Sequence, residues 1–366
     1  MHGSIINRMD FYITISLKSP LLIGEGRYRK VKDAKDKMCI QVDPYEIPGP
    51  ADPDAFAAIP DAIPVCRNDS RDILGLIQDA LTGRGGSEGL ASAMAGKLKY
   101  YIPGASLRGA LRAYAERIFR TLSPSEDELL CCDPFAVNKE RRDRFCGKAL
   151  EKEEGRNVYE KQCPVCRLFG STRVASHIRV EDAYPDPNKP GRVVIRDGIA
   201  LDRFTGAIAK GPFRVLLLED FVFKGRISLL NYEYWQPGLM AYLLRDLSMG
   251  RISLGGGKNK GYGRIGAEVT KIRIQGYGAN GELPAVLRSI GFRDGPGSEV
   301  DPWVAKLLEP CKEEDHPFRR SYCVSNPTIA QENFFWLGLA GAFAEGRKGF
   351  LPLDHRPSPA DSVAPQ

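Results

Sequence analysis

Cys163-Pro164-Val165-Cys166 forms a C-x-x-C knuckle, and Cys131, Cys132 and Cys146 precede it on a charged stretch. Four thiolates drawn from these would close a tetrahedral structural zinc site. The expected ligands are Cys132, Cys146, Cys163 and Cys166. Cys132 is preferred over its neighbour because Asp133-Pro134 follows it, and Cys131 and His177 stand in reserve. Such a site would stabilise a segment too polar to build its own core. Unpaired core thiols, or a redox pair, are the other readings. Cys39, Cys66, Cys311 and Cys323 are scattered and read as structural.

A second group of residues suits a polyanion. In LGGGKNKGYGR, residues 254–264, glycines let the backbone approach a ligand closely, while Lys258, Lys260 and Arg264 supply positive charge. Tyr262 can stack on a base or sugar. A surface hairpin kept soluble by its lysines is the alternative. Pro103-Gly104 precedes a helical pattern with Ser106 as the expected N-cap, so free N–H groups and the positive end of the helix dipole could meet a phosphate, assisted by Ser106 and Arg108. The plainer reading has Ser106 only capping and Arg108 only solvated.

The elements that must position these groups follow from hydrophobic periodicity. Phe11, Ile13, Ile15 and Leu17 alternate with Tyr12, Thr14, Ser16 and Lys18, the pattern of a half-buried strand. Periodicity then vanishes for roughly 75 residues, far beyond an ordinary loop, so this stretch reads as an insertion or a functional loop. Leu107, Ala110, Leu111, Tyr114, Ala115, Ile118 and Phe119 recur at helical spacing. Residues 121–162 are polar and charged and read as a second insertion rather than a core element. Strands are expected at Val193 to Ile195, Arg214 to Leu218 and Phe221 to Leu229, a short helix at Leu239 to Leu247, and a strand through Ile265, Ala267 and Val269. Strand, helix, strand, strand, helix, strand is the order of a ferredoxin-like βαββαβ core in an α+β fold, a scaffold of many RNA-binding domains. An apolar stretch at Phe334 to Phe343 could add a helix, and residues 356–366 read as disordered.

Composition narrows the class. The 366 residues are 43% hydrophobic and 27% charged, near globular averages. With 52 Lys and Arg against 46 Asp and Glu, the net charge of +6 permits polyanion binding without demanding it. No apolar run is long enough to span a bilayer and no secretory signal is visible, so a cytoplasmic protein with reduced thiols and no membrane partner is expected.

Four segments in order resemble the RAMP superfamily, specifically the backbone subunits that line CRISPR RNA in type III effector complexes. They are the first strand with SPLLIGEG, then YYIPGASLRGALRAYAERI, then CPVCRLFGST, and last the pair DRFTGAIAKG and GGGKNKGYGR. The resemblance covers about residues 10–270. It implies a RAMP-type core over 1–275 with a 25–99 loop insertion, a zinc-binding insertion at 121–170 and a thumb hairpin at 197–225, followed by an extension over 276–366. In the family the thumb wedges into the guide–target duplex, so an apolar tip such as Ile208 makes physical sense. The implied RNA-binding residues are Ser106, Arg108, Arg112, Arg203, Thr205, Ile208, Lys258, Lys260, Tyr262 and Arg264.

The resemblance also implies chemistry and partners. Target-cutting subunits of the family use a loop aspartate and a divalent metal such as Mg²⁺. Asp61, in Asp61-Ala62-Ile63-Pro64-Val65-Cys66-Arg67-Asn68-Asp69, matches the family's D-x-P-V-x-R-D stretch with one residue inserted, and Asp33 and Asp36 are reserves. The expected protein is a Mg²⁺-dependent endoribonuclease acting on target RNA, or, alternatively, an inert structural guide-binding subunit. Its expected partners are CRISPR RNA, complementary target RNA, further copies of itself in a filament and other type III subunits. No HExxH, G-x-S-x-G or Walker A motif occurs, and the four histidines form no local catalytic pair.

Overall fold

A computed structural model of the chain describes residues 7–24, 98–124, 129–133, 145–153 and 156–277. It also describes the shorter segments 28–32, 38–42, 45–48, 75–76, 308–310, 319–324 and 334–346, with Ile5 and Cys66. The fold is α+β with antiparallel sheets.

The first strand, β1 (Asn7–Leu17), has the expected alternation: Phe11, Ile13 and Ile15 are 0–2% exposed. Each such burial contributes roughly 1.5–3 kcal/mol, which fixes the register because a one-residue slip would turn the apolar set to water. β1 lies between β9 (Val222–Leu230) and β10 (Ile265–Tyr277), antiparallel to both. β5 (Ile178–Val180) and β6 (Tyr184–Pro185) pair with the outer side of β9. β12 (Arg319–Val324) and β11 (Leu308–Pro310) extend the sheet beyond β10, giving the order β11-β12-β10-β1-β9-β5.

Helices cover the Phe11 face. α1 (Gly104–Leu122) buries Leu107, Leu111, Ala115 and Phe119, one every four residues. α5 (Trp235–Ser248) buries Leu239, Leu243, Leu244 and Leu247. α6 (Phe334–Gly346) packs on α5, stacks Trp336 on Phe11 at 6.1 Å and sets Phe343 edge-on to Phe119 at 5.9 Å. The apolar C-terminal stretch thus forms the helix its composition suggested. Among the described residues no helix is long and apolar enough to cross a membrane.

Several expectations need correction. Val193 to Ile195 and Arg214 to Leu218 do not join the main sheet. They belong to a separate antiparallel ribbon of β7 (Arg192–Leu201) and β8 (Ile208–Glu219), and the main-sheet strand is the three-residue β5. A strand this short has no periodicity to detect. The stretch read as an insertion or a functional loop holds a three-stranded sheet of its own, β2 (Tyr28–Lys32), β3 (Met38–Val42) and β4 (Tyr45–Pro48). The charged stretch before the knuckle is no mere surface insertion either: Leu130, Cys131, Cys132 and Cys146 are buried in the main core. Two short helices, α2 (Cys146–Ala149) and α3 (Arg156–Glu160), lead to α4 (Pro164–Phe169). Of the cysteines read as structural, Cys66 is buried and Cys323 is disulfide-bonded.

Ser106 is not the N-cap of α1. The helix starts two residues earlier, at Gly104, whose N–H donates to Asp182 Oδ1 at 2.8 Å. The carboxylate caps from 78 residues away, which no local pattern reveals. Gly104 is required there because a Cβ would lie 2.2 Å from the Val180 carbonyl oxygen.

Candidate nucleic-acid interface and metal centre

The glycine loop is built onto the segment that leaves β1. Lys18 and Ser19 donate backbone N–H groups to the Arg264 carbonyl at 2.9 and 3.2 Å. Gly256 donates to Leu22 O and Gly263 to Pro20 O, each at 2.8 Å. Gly255 and Gly263 adopt φ of +73° and +79°, and a Cβ on either would fall 2.0 Å or less from a carbonyl oxygen, of Leu22 and Leu254 respectively. Only glycine satisfies both conditions. The close approach expected of these glycines is therefore to the protein's own backbone, and it shapes the loop.

What the loop presents outward is charge. Lys258 and Lys260 are exposed on a single 3₁₀ turn, and Arg264 is exposed beside them. Tyr262 is half-buried, its ring held against Gly257. The loop reaches the β7–β8 ribbon: Lys260 Nζ lies 3.7 Å from where a Cβ on Gly198 would sit, and Leu21 bridges to Leu218 at the ribbon's base. Sheet registers place the loop, the ribbon and the Tyr100–Pro103 approach to α1 at one end of the main sheet, the end marked by Leu17, Val222 and Ile265.

The ribbon ends in a turn organised by Asp202, whose Oδ1 accepts from the N–H of Phe204 and Thr205 and from Thr205 Oγ1, at 2.8–3.0 Å. These bonds hold the Asp202 carboxyl below its ordinary range. Thr205 is therefore a tip-forming residue, and Arg203 is exposed beside it. Ile208 is 64% exposed as expected, but the apex is Phe204 at 99%, backed by Leu201 and Ile199. Exposed apolar side chains on a polar hairpin are the informative kind of exposure. Phe204 sits inside the D-R-x-T-G segment, and the aspartate-nucleated turn is the signal that could have singled it out.

Arg108 and Arg112 are engaged elsewhere. Arg108 donates to the Phe169 carbonyl, and burial together with the neighbouring Arg112 lowers its pKa. Arg112 donates to the Gly170 carbonyl and the Glu116 carboxylate, both at 3.1 Å, and to Cys166 Sγ at 3.6 Å. Both arginines fasten α1 to α4 instead of standing free for phosphate. Ser106 is half-buried within the helix. Asp61, Asp33 and Asp36 lie outside the described residues.

The expected thiol set comes together. The Sγ atoms of Cys132, Cys146, Cys163 and Cys166 all lie within 4.8 Å of one another, and all four residues are buried. The Cys132–Cys166 separation is 3.5 Å, near the roughly 3.8 Å edge of a tetrahedron with Zn–S of about 2.3 Å. Cys163 caps α4, with the Cys166 N–H donating to its sulfur at 3.4 Å, and the Cys163 N–H donates to Cys146 Sγ at 3.3 Å. N–H donors of this kind orient and stabilise thiolates. The group can hold a metal ion such as zinc. Neither reserve ligand is among the four: Cys131 touches the group through Cys163 while donating its thiol to the Cys132 carbonyl, and His177 sets Nδ1 on the Leu230 carbonyl at 2.8 Å.

The family model of the RAMP superfamily matches residues 14–266, more than two-thirds of the chain. The chain belongs to the RAMP superfamily. The matched span runs from within β1 to the first residues of β10, so it takes in the Cys₄ group, the ribbon and the glycine loop of this RAMP protein. Membership suggests a CRISPR-associated RNA-binding role with guide RNA and effector-complex partners. No curated protein matches the chain.

Proposed function

We propose that this RAMP protein is a backbone subunit of a type III CRISPR effector complex, binding guide RNA in the cradle between its glycine loop and its apolar-tipped ribbon. The observation that carries the reading is the juxtaposition of Lys260, on one turn with Lys258, with the ribbon stem at Gly198, at the sheet end from which loop and ribbon project. Phosphates would run along the lysines and Arg264, and Phe204 and Ile208 would wedge between stacked bases. The strand order β10-β1-β9-β5, all antiparallel, with α1 and α5 as the crossovers, supports a ferredoxin-like core beneath the cradle. Zinc in the Cys₄ group would pin α4 against α1 through Arg112 and so brace the cradle from below.

The reading extends to cleavage of paired target RNA at regular intervals. A loop carboxylate, Asp61 first and Asp33 or Asp36 in reserve, would hold Mg²⁺, which when bound would supply charge stabilisation to a target phosphate; the adjacent 2′-hydroxyl would attack the phosphorus as the 5′-oxygen leaves, giving a 2′,3′-cyclic phosphate and a 5′-hydroxyl. The sequence match around Asp61 supports this step. Assembled complexes carrying Asp61→Ala should bind target RNA and lose periodic cutting. Unchanged cutting would remove Asp61, and loss on changing Asp33 or Asp36 instead would move the site. If none of the three substitutions alters cleavage, the loop-aspartate mechanism is wrong.

A further inference from the structure

The face of the main sheet opposite the helices carries a second feature. Tyr12 points away from Phe11 and Ile13 by the alternation of β1, and its cross-strand neighbours are Arg226 on β9 and Lys271 on β10. With Arg273, diagonally placed, these put three cations within 6 Å of one half-buried ring: Arg273 at 5.6 Å, Lys271 at 5.8 Å and Arg226 at 5.9 Å. Lys224 and Arg179 extend the same face. The acids there are fewer and placed differently. Asp10 is fully buried and shared between Arg8 and Arg273, Glu181 pairs with Arg226 and Asp186 with Lys224 from the β9 margin, and Glu268 lies opposite Thr14.

Arg226 and Arg273 already hold Glu181 and Asp10, so what this face offers a ligand is a half-buried aromatic ring rimmed by cations, with Lys271 exposed beside it. A ligand with negative charge and a flat apolar surface would use both the ring and its rim. We propose that this face around Tyr12 is a second single-stranded RNA track, distinct from the glycine-loop cradle, with Tyr12 stacking a base and Lys271, Arg226 and Lys224 meeting the flanking phosphates. The choice of RNA as ligand rests on the proposed function. The location of the track does not.

The test uses the full-length protein and a fluorescent oligouridine, read by anisotropy across a salt series and by photo-crosslinking of the 5-bromouridine form. Tyr12→Ala should weaken binding by about tenfold and Tyr12→Phe should leave it near wild type, since the ring and not the hydroxyl stacks. Lys271→Glu, on an exposed side chain, should weaken binding and lower the salt slope by about 0.7, independently of any effect of Tyr12→Ala on folding. Adducts should map to the peptide containing Tyr12. The double change Lys258→Ala with Lys260→Ala tests the cradle separately and should not remove those adducts. Unaltered affinity in Tyr12→Ala and Lys271→Glu, with adducts confined to the glycine loop and ribbon, would overturn the second track while leaving the cradle standing. Loss in those two variants with none in the lysine pair would do the reverse.

Discussion

Asp10 shows how much a single buried charge can carry. Its Oδ1 accepts from Ser228 Oγ at 2.6 Å and Arg8 Nε at 2.8 Å, and its Oδ2 accepts from Arg273 at 2.8 Å. Burial alone would raise its pKa, but these three partners outweigh it and hold the carboxyl below its ordinary 3.8. Asp10→Asn leaves two arginines over a neutral amide and should cost about 3 kcal/mol at neutral pH. Because the native pKa is the lower one, the carboxylate's contribution is complete above about 3.8 and fades as pH drops through the native value. Urea midpoints of wild type and variant should therefore differ by a constant amount near neutrality and converge in acid. Alternation placed Tyr12 on the outer face of β1, but its cations Arg226, Lys271 and Arg273 come from strands more than 200 residues away. Only the folded register could bring them together. The same reason hid the partners of Arg108 and Arg112, which look like free cations in a helix and are fasteners in the fold.

The glycine loop and the Cys₄ group are the elements that shape the candidate site. Gly263→Ala would drive a Cβ to 1.9 Å from the Leu254 carbonyl at a φ of +79°. It should destabilise the protein by about 2 kcal/mol or more and weaken RNA binding, as a melting curve beside a binding titration would show. Gly261→Ala, at a similar φ but in open space, should cost less. For the thiol group, Cys163→Ser should abolish stoichiometric zinc measured by elemental analysis. The same change, or a strong chelator, should lower Tm by about 5 °C or more. These elements were legible to different depths. The C-x-x-C spacing led to the four thiols that now meet, because a knuckle supplies two ligands and Cys131, Cys132 and Cys146 stand just before it to complete a tetrahedral set. The strong periodicity of β1 and α1 was equally plain. β5 is invisible in sequence because three residues carry no pattern, and the ribbon stem cannot be told from the sheet strands because it has the same β composition as β9.

At the scale of the whole molecule, the chain is a helix-backed sheet whose one end projects both a basic loop and an apolar-tipped ribbon. Its net charge of +6 is modest, so affinity for RNA must come from where the cations stand rather than from how many there are. The order of the four sequence segments foreshadowed this assembly, and the Asp202 turn carried the signal for the Phe204 apex, while the remote Asp182 cap emerged only from the fold. The most direct measurement is filter binding of guide-length single-stranded RNA to the purified chain over a series of salt concentrations. Binding whose logarithm falls linearly with the logarithm of salt, with a slope that drops by about 1 to 1.5 when both Lys258 and Lys260 are replaced by alanine, is what a phosphate-lined cradle requires. Binding indifferent to salt, or a slope untouched by that pair, would contradict it.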